Sequence, residues 1–262
     1  MAQVRLSLLL AAGSAILPVP VTAQADELAA GIQAADAHDL AAARRDFEAV
    51  LRRDPASYQA NWRLALLLID IAKQIPDGIR SPTRDSLYLH AETYAHRAVS
   101  VNDNDAEGHF ALANAIGRGS LSMGSKERVK RAIEVRAEAL RAIELDPRHD
   151  GAWHILGRWN AEVERLSAVQ RFYARTFLGA SVFNAASWDE AERDLRLAVQ
   201  YAPTRIVHRF DLAQVLMSRK KWAGAKQQLD AVAALPSTDV SDPSYKRQAR
   251  ALELKLRGKL SP

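Results

Sequence analysis

The sequence predicts an all-α fold in which successive helix pairs stack into a right-handed superhelix, an α-solenoid. Glycine is scarce, at 12 of 262 residues, and alanine, leucine, arginine and glutamate are abundant, a composition that favours helix. Residues 139–147 read ALRAIELDP, and residues 149–166, which contain the spacing Trp-x-x-Leu-Gly, follow almost at once. A helix ending in Leu-Asp-Pro before such an opening is typical of the junction between two helix-turn-helix repeats.

The register of the repeat comes from counting backwards from Pro55 in a 34-residue tetratricopeptide unit. Gly31 then falls at position 8 and Ala43 at position 20, where the two helices of a unit nearly touch and only a small residue fits. Phe47 falls at position 24, the large core residue. The first unit therefore satisfies all three packing demands of a tetratricopeptide repeat.

The same register makes residues 26–262 a single tetratricopeptide-repeat domain of five helix pairs and a C-terminal capping helix. Insertions of about 14, 10 and 22 residues separate the two helices of units two, three and four. The pattern leaves open whether the third insertion prolongs its first helix or starts a new one. The predicted units span about 26–57, 58–105, 106–149, 150–205 and 206–236, and the cap spans 243–258.

The N-terminal residues 1–25 have the pattern of a cleaved signal peptide. Arg5 precedes an apolar run at residues 6–16, and Ala23-Gln24-Ala25 matches a cleavage site. The alternative is a membrane anchor, but the run is too short to cross a bilayer of about 30 Å. The sequence therefore predicts export, with the bacterial periplasm as the destination and no integral membrane segment after cleavage.

Charge and cysteine content exclude several classes of function. The formal net charge is +5, and basic residues mostly alternate with acidic ones, so we expect no nucleic-acid partner. The absence of cysteine removes disulfides, thiolate nucleophiles and thiolate zinc sites.

Motifs that carry chemistry are weak. Residues 119–126 (GSLSMGSK) nearly match a phosphate-binding loop, but the Lys and Ser are in the wrong order and no strand precedes them. The seven histidines lack the spacing of metal ligands on one helix face, and adjacent carboxylates point apart. We therefore expect no catalytic residues, no metal site and no cofactor, and interpret the chain as non-enzymatic.

Five segments, which include Leu-Gly-Arg-Trp at residues 156–159, carry a distinctive pattern of residues. Together they resemble the regulator of microtubule dynamics family. The likeness covers about residues 85–256, and Leu-Gly-Arg-Trp at 156–159 is its most specific part. This resemblance implies a non-enzymatic helical-repeat protein. Eukaryotic members are tied to microtubules, spindles and organelle membranes, whereas this chain is predicted to be exported. The other matching segments are residues 124–129 (GSKERV), 139–147 (ALRAIELDP), 186–191 (ASWDEA) and 235–250 (LPSTDVSDPSYKRQAR).

Candidate binding residues follow from the register, because positions 5 and 9 of each first helix line the concave face of a tetratricopeptide superhelix. The position 5 row, in units two to five, is Trp62, Phe110, His154 and Phe210. The position 9 row is Leu66, Asn114, Arg158 and Gln214. Glu162 follows Arg158 by four residues and can pair with it.

An aromatic row beside amide and guanidinium groups suits an extended peptide, a helix or an apolar chain. The leading hypothesis is a scaffold that binds a protein or peptide on the concave face. The alternative is a carrier that holds a lipid or other apolar ligand in the same groove. The insertions could also fold over this face and turn the aromatic residues into ordinary core.

Overall fold

The computed structural model describes residues 21–76, 79–179 and 181–260, which form twelve α-helices and no strand. The all-α prediction is confirmed. Of the predicted signal peptide, residues 1–20 lie outside the described ranges, and the first helix begins at Val21. The helices are α1 Val21–Asp36, α2 Leu40–Arg53, α3 Tyr58–Lys73, α4 Pro82–Val101, α5 Ala106–Gly119, α6 Ser125–Leu145, α7 Asp150–Arg165, α8 Ala168–Phe177, α9 Trp188–Tyr201, α10 Ile206–Ser218, α11 Trp222–Ala234 and α12 Asp242–Leu260.

Helices pair in the order of the chain, as expected for a helical-repeat solenoid. The pairs α1–α2, α3–α4, α5–α6, α7–α9 and α10–α11 each form close contacts, and α12 packs on the last pair. The first helices α3, α5, α7 and α10 also contact one another in sequence. This row of first helices forms the face on which the candidate binding residues lie.

Glycine at position 8 allows the two helices of units one and four to approach closely. A Cβ on Gly157 would lie 2.7 Å from Cγ of Leu195 and 3.0 Å from its backbone nitrogen. Gly31 occupies the same position in the first unit, where a Cβ would meet the ring of Phe47 at 2.7 Å. Since Phe47 and Leu195 are both buried, these contacts lie within the core.

The insertions in units two and three are packed parts of the solenoid. They lengthen α4 and α6 to 20 and 21 residues, and Leu87 and Tyr88 of α4 are buried in the main hydrophobic core. Ser81 caps α4 by accepting a hydrogen bond from the backbone nitrogen of Arg84, and Pro82 begins the helix. The described part of the unit-two insertion therefore adds to the core.

The insertion in unit four starts a new helix, which resolves the alternative left open by the sequence. Helix α7 ends at Arg165, and α8 follows after Ser167, whose side chain forms a capping box with Gln170. A short 3₁₀ helix, Ser181–Ala185, then places the buried ring of Phe183 edge-on to Trp159, with 5.7 Å between the ring centroids.

Candidate functional site

Phe210, predicted as an exposed groove residue at position 5, belongs to the core. Its side chain is only 3% exposed. The capping helix α12 covers it, with the ring of Tyr245 centred 5.3 Å from that of Phe210. The prediction of an open aromatic row is therefore wrong at this end, because the cap seals the apolar surface of the last unit.

The other two aromatic residues of the position 5 row are half-buried and lie in separate units. Trp62 of α3 carries the guanidinium of Arg63 over its ring, 4.2 Å from the centroid. Phe110 of α5 packs against the start of α7, where its ring centroid is 4.7 Å from that of His149. A Cβ on Gly151 would lie 2.5 Å from the Phe110 ring, so glycine is needed for this junction.

His154 and Arg158, also predicted from the register, converge on a residue that the sequence analysis did not single out. Nε2 of His154 lies 2.7 Å from Oδ2 of Asp211 in α10. Arg158 donates from Nη1 to both oxygens of the same carboxylate, at 3.3 and 3.2 Å. Asp211 is buried, whereas the side chain of Arg158 remains 41% exposed. The carboxylate therefore fixes a guanidinium at the surface between units four and five.

A second polar group of the same kind lies beside the first. Nε2 of His208 is 2.7 Å from Oδ2 of Asp150, and Nη1 of Arg205 is 3.0 Å from that oxygen. The rings of His154 and His208 are tilted against each other with 4.7 Å between centroids. Two His–Asp–Arg groups thus tie α7 to α10, and we call the six residues the α7–α10 polar cluster.

Electrostatics determine the protonation state of the first group. Burial lowers the pKa of His154 to about 4, against the opposing effect of Asp211, so the imidazole is neutral at pH 7. Burial alone would raise the pKa of Asp211, but the charge of Arg158 and the bond from His154 outweigh it and hold this pKa well below its usual range. Nε2 of the neutral His154 is therefore the donor to an ionised carboxylate.

The second group behaves in the same way. Burial lowers the pKa of His208, and the pKa of Asp150 is well below its usual range because His208 and Arg205 outweigh the cost of burial. The neutral His208 donates from Nε2, which leaves its buried Nδ1 as an acceptor without a partner. Both histidines thus act as donors that hold aspartates.

The remaining predicted residues lie at the edge of the cluster or in a neighbouring unit. Gln214 of α10 lines a narrow crevice with Arg158 and Asp211. Glu162 is exposed and lies 3.5 Å from Arg158, as its spacing predicted, and 2.6 Å from Arg165. Asn114 of α5 is half-buried in the preceding unit. The structure thus brings four predicted residues together and leaves Trp62, Phe110 and Asn114 apart from them.

Asp150, Arg205, His208 and Asp211 were missed because their roles depend on pairing between helices. Asp211 and His208 are more than 50 residues from their partners in the chain. The one available signal was Asp211 itself, the single acidic residue of helix α10. In the described ranges, no three His, Cys, Asp or Glu residues form a group able to hold a metal ion.

Comparison with models of known protein families shows which family the chain belongs to. The model of the family described as regulator of microtubule dynamics protein 1-3 matches residues 21–257. The chain belongs to the regulator of microtubule dynamics family. The resemblance inferred from residues 85–256 is thereby confirmed and extended toward the N-terminus.

Two curated relatives carry the family name. Regulator of microtubule dynamics protein 1 of Bos taurus is 29% identical over 114 residues, 44% of this chain and 35% of the relative. Regulator of microtubule dynamics protein 3 of Rattus norvegicus is 23% identical over 193 residues, 74% of this chain and 40% of the relative. The chain thus spans well under half the length of either relative.

Two solved structures share the fold of this chain. A thermophilic TPR protein of Thermus thermophilus superposes with a TM-score of 0.60 and 18% identity, covering 88% of this chain and 99% of that protein. PilF of Pseudomonas aeruginosa gives a TM-score of 0.53 at 13% identity, covering 91% and 87%. At these identities the likeness establishes the fold alone: this family member is a tetratricopeptide-repeat solenoid.

Proposed function

We propose that this member of the regulator of microtubule dynamics family is a non-enzymatic scaffold that binds a protein or peptide on the concave face formed by its first helices. The observation that carries the proposal is the guanidinium of Arg158, held by a buried carboxylate yet 41% exposed. Because Asp211 compensates its charge, Arg158 offers oriented N–H donors more than net charge. Such donors suit the carbonyl groups of an extended peptide.

The neighbouring residues of the position 9 row support the same partner. Asn114, Arg158 and Gln214 occupy equivalent positions of three successive units and are all half-buried. Their amide and guanidinium groups supply donors in each unit, and the two amides also supply acceptors, as the backbone of a bound peptide requires. Tetratricopeptide architecture provides the rigid scaffold that holds these groups in a row.

Site-specific photo-crosslinking tests the location of the partner. A photoreactive residue placed at Gln214 or Asn114 should yield a crosslinked protein or peptide from the native extract. Gln200, an exposed glutamine on the second helix α9, provides a matched control position. Equal yields of the same product from Gln200 and Gln214 would contradict binding on the first-helix face.

The affinity of the identified partner then tests the residues. We expect Asn114→Ala combined with Gln214→Ala to weaken binding by about tenfold, as loss of two hydrogen bonds of about 0.5–1.5 kcal/mol each predicts. Gln200→Ala should leave the dissociation constant unchanged. Isothermal titration calorimetry with purified components measures both, and unchanged binding by the double variant would exclude the proposed groove.

The carrier alternative receives less support from the cavities. A cavity of about 170 Å³ lies between the end of α3 and the last unit, where Lys73, Arg205, Asp239 and Asp242 line it. Its volume is below that of typical ligand pockets, roughly 300–1,000 Å³, and its lining is charged. Native mass spectrometry with lipid extraction tests the alternative, since a stoichiometric lipid bound to the purified protein would favour a carrier.

We also propose that the chain is exported to the periplasm and that residues 1–25 are removed. The basic start, the short apolar run and the Ala23-Gln24-Ala25 site support this proposal. Among the described residues, no helix has both the length and the apolar character needed to cross a membrane. Intact mass of the protein from a periplasmic fraction tests it: a chain starting at Asp26 is the expected result, and an uncleaved chain in the cytosol would refute it.

A further inference from the structure

Helix α8 presents an apolar face to solvent, which sets it apart from the other helices of its unit. Val169, Phe172, Tyr173 and Phe177 are between 53% and 77% exposed, and we call these four residues the α8 face. Their spacing places them on one side of the helix. Ala174 is the buried residue of this helix. The apolar side of α8 therefore points away from the core.

Polar contacts hold α8 in this orientation. Arg171 donates to Glu164 of α7 at 2.7 Å, and Arg175 donates to Asn184 of the 3₁₀ helix at 2.8 Å. The capping box of Ser167 and Gln170 fixes the start of the helix. The helix is thus anchored by its polar side, and its amphipathic character is inverted relative to a helix that covers a core.

The segment of the sequence that contains α8 is basic. Between Glu164 and Asp189 the chain has no acidic residue, whereas it contains Arg165, Arg171 and Arg175. Arg165 and Arg171 pair with glutamates of α7, whereas Arg175 bonds to the neutral amide of Asn184 and has no acidic partner among residues 21–76, 79–179 and 181–260. The α8 face therefore lies beside a cation that complements an anionic surface.

The area of the α8 face argues against a second copy of the chain as its occupant. Four side chains of this size and exposure offer roughly 450 Å² of apolar surface. A stable interface between two proteins needs about 800 Å² from each partner. A bilayer surface does not have this requirement, because aromatic side chains can enter the boundary between head groups and acyl chains individually.

We propose that the α8 face docks on the surface of a lipid bilayer with anionic head groups, with Phe172, Tyr173 and Phe177 inserted and Arg175 near the phosphates. Aromatic and basic residues on one short amphipathic helix are the combination expected of peripheral membrane contact. The proposed membrane contact does not depend on a peptide partner bound to the first helices.

The test exploits the absence of cysteine in the chain. Thr176→Cys on the exposed side of α8 and Leu254→Cys on α12 each give one labelling site for an environment-sensitive fluorophore. With full-length protein and vesicles containing phosphatidylglycerol, the label at position 176 should shift to the blue and the label at 254 should not. A label at 176 that is unchanged by these vesicles overturns the proposal, whatever other segments of the chain do.

Substitutions identify the residues responsible. We expect Phe172→Ser combined with Phe177→Ser to abolish the shift of the label at 176 and to weaken its vesicle titration by at least about tenfold. The matched pair Leu89→Ser and Leu254→Ser removes equally exposed apolar residues elsewhere and should leave the titration unchanged. Equal loss in both pairs overturns the proposal, as does equal binding to vesicles of phosphatidylcholine alone. So does a concentration-dependent dimer that the α8 variants disrupt without any vesicle effect, since this outcome assigns the face to a second copy.

Discussion

Arg158 of α7 and Asp211 of α10 join the fourth and fifth units through one buried carboxylate. Nη1 of Arg158 lies 3.3 and 3.2 Å from the two oxygens, and His154 completes the site at 2.7 Å. The pair therefore has two roles. It compensates a buried charge, and it fixes a partly exposed guanidinium between units four and five.

Replacing Arg158 tests the first role. We expect Arg158→Ala to lower the free energy of unfolding by about 2–3 kcal/mol, because it leaves the Asp211 carboxylate buried with only His154 as a partner. Lys226→Ala, which removes an exposed pair with Asp230, should cost less than about 1 kcal/mol. Urea titrations followed by circular dichroism measure the free energy of unfolding of both variants. Equal losses would mean that solvent, and not Arg158, compensates Asp211.

The pKa of His154 predicts a dependence of stability on pH. The folded-state pKa is about 4, and the unfolded value is near 6.5, so between these values the unfolded chain binds the proton and the folded chain does not. The contribution is therefore complete above pH 6.5 and is lost as the pH falls toward 4, by up to about 3 kcal/mol. His208 and Asp211, whose pKa values are also lowered, act in the same direction.

His154→Gln isolates this contribution, because glutamine can still donate to Asp211 but does not titrate. Unfolding midpoints at pH 7.5, 6, 5 and 4.5 should fall less steeply for the variant than for the native chain. Asp194, whose pKa burial raises to about 6, contributes a slope of opposite sign in both proteins and cancels in the difference. Parallel curves for the two proteins would show that His154 titrates normally.

Gly157 tests the packing of α7 on α9. We expect Gly157→Ala to destabilise the fold by about 1–3 kcal/mol, since the new Cβ would meet the backbone and side chain of Leu195. Gly258→Ala in α12 meets nothing within 4 Å and should be neutral or stabilising by up to about 1 kcal/mol. Thermal unfolding of both variants provides the measurement. A neutral Gly157→Ala would indicate that the two helices separate more easily than their contacts suggest.

Phe210 provides a test of the boundary between core and groove. We expect Phe210→Ala to cost about 3 kcal/mol or more in unfolding free energy, because the ring is buried under α12. Leu254→Ala, on the same capping helix but exposed, should change stability little. If Phe210→Ala weakened partner binding but left stability unchanged, Phe210 would be a groove residue and not a core residue.

The fold followed from the sequence because repeat packing is local. Helices begin at Tyr58, Ala106, Asp150 and Ile206, where the counted units begin, and Gly31 packs against Phe47, the residue counted as the large core position. Each of these contacts joins residues close in the chain and demands a small or large side chain at a fixed spacing. Composition and spacing were therefore sufficient to predict these contacts.

The candidate site could be predicted only in part from the sequence. The register placed His154, Arg158 and Gln214 on one face, and Glu162 four residues from Arg158, and the structure keeps these four close together. The register did not indicate that Asp211 pairs with His154 and Arg158, because these pairs join residues more than 50 positions apart in the sequence. It also could not foresee the burial of Phe210, since the angle at which α12 covers the last unit is set by contacts along the whole cap.

The sequence by itself thus determined the class of fold and the family, which depend on periodic size and polarity along the chain. Tertiary structure alone decided which of the predicted residues are core, which carboxylate holds Arg158, and which way α8 faces. The physical reason is that burial and ion pairing depend on distances between helices, and the orientation of α8 depends on two hydrogen bonds to neighbouring elements. Neither the distances between helices nor the orientation of α8 produces a periodic pattern in the sequence.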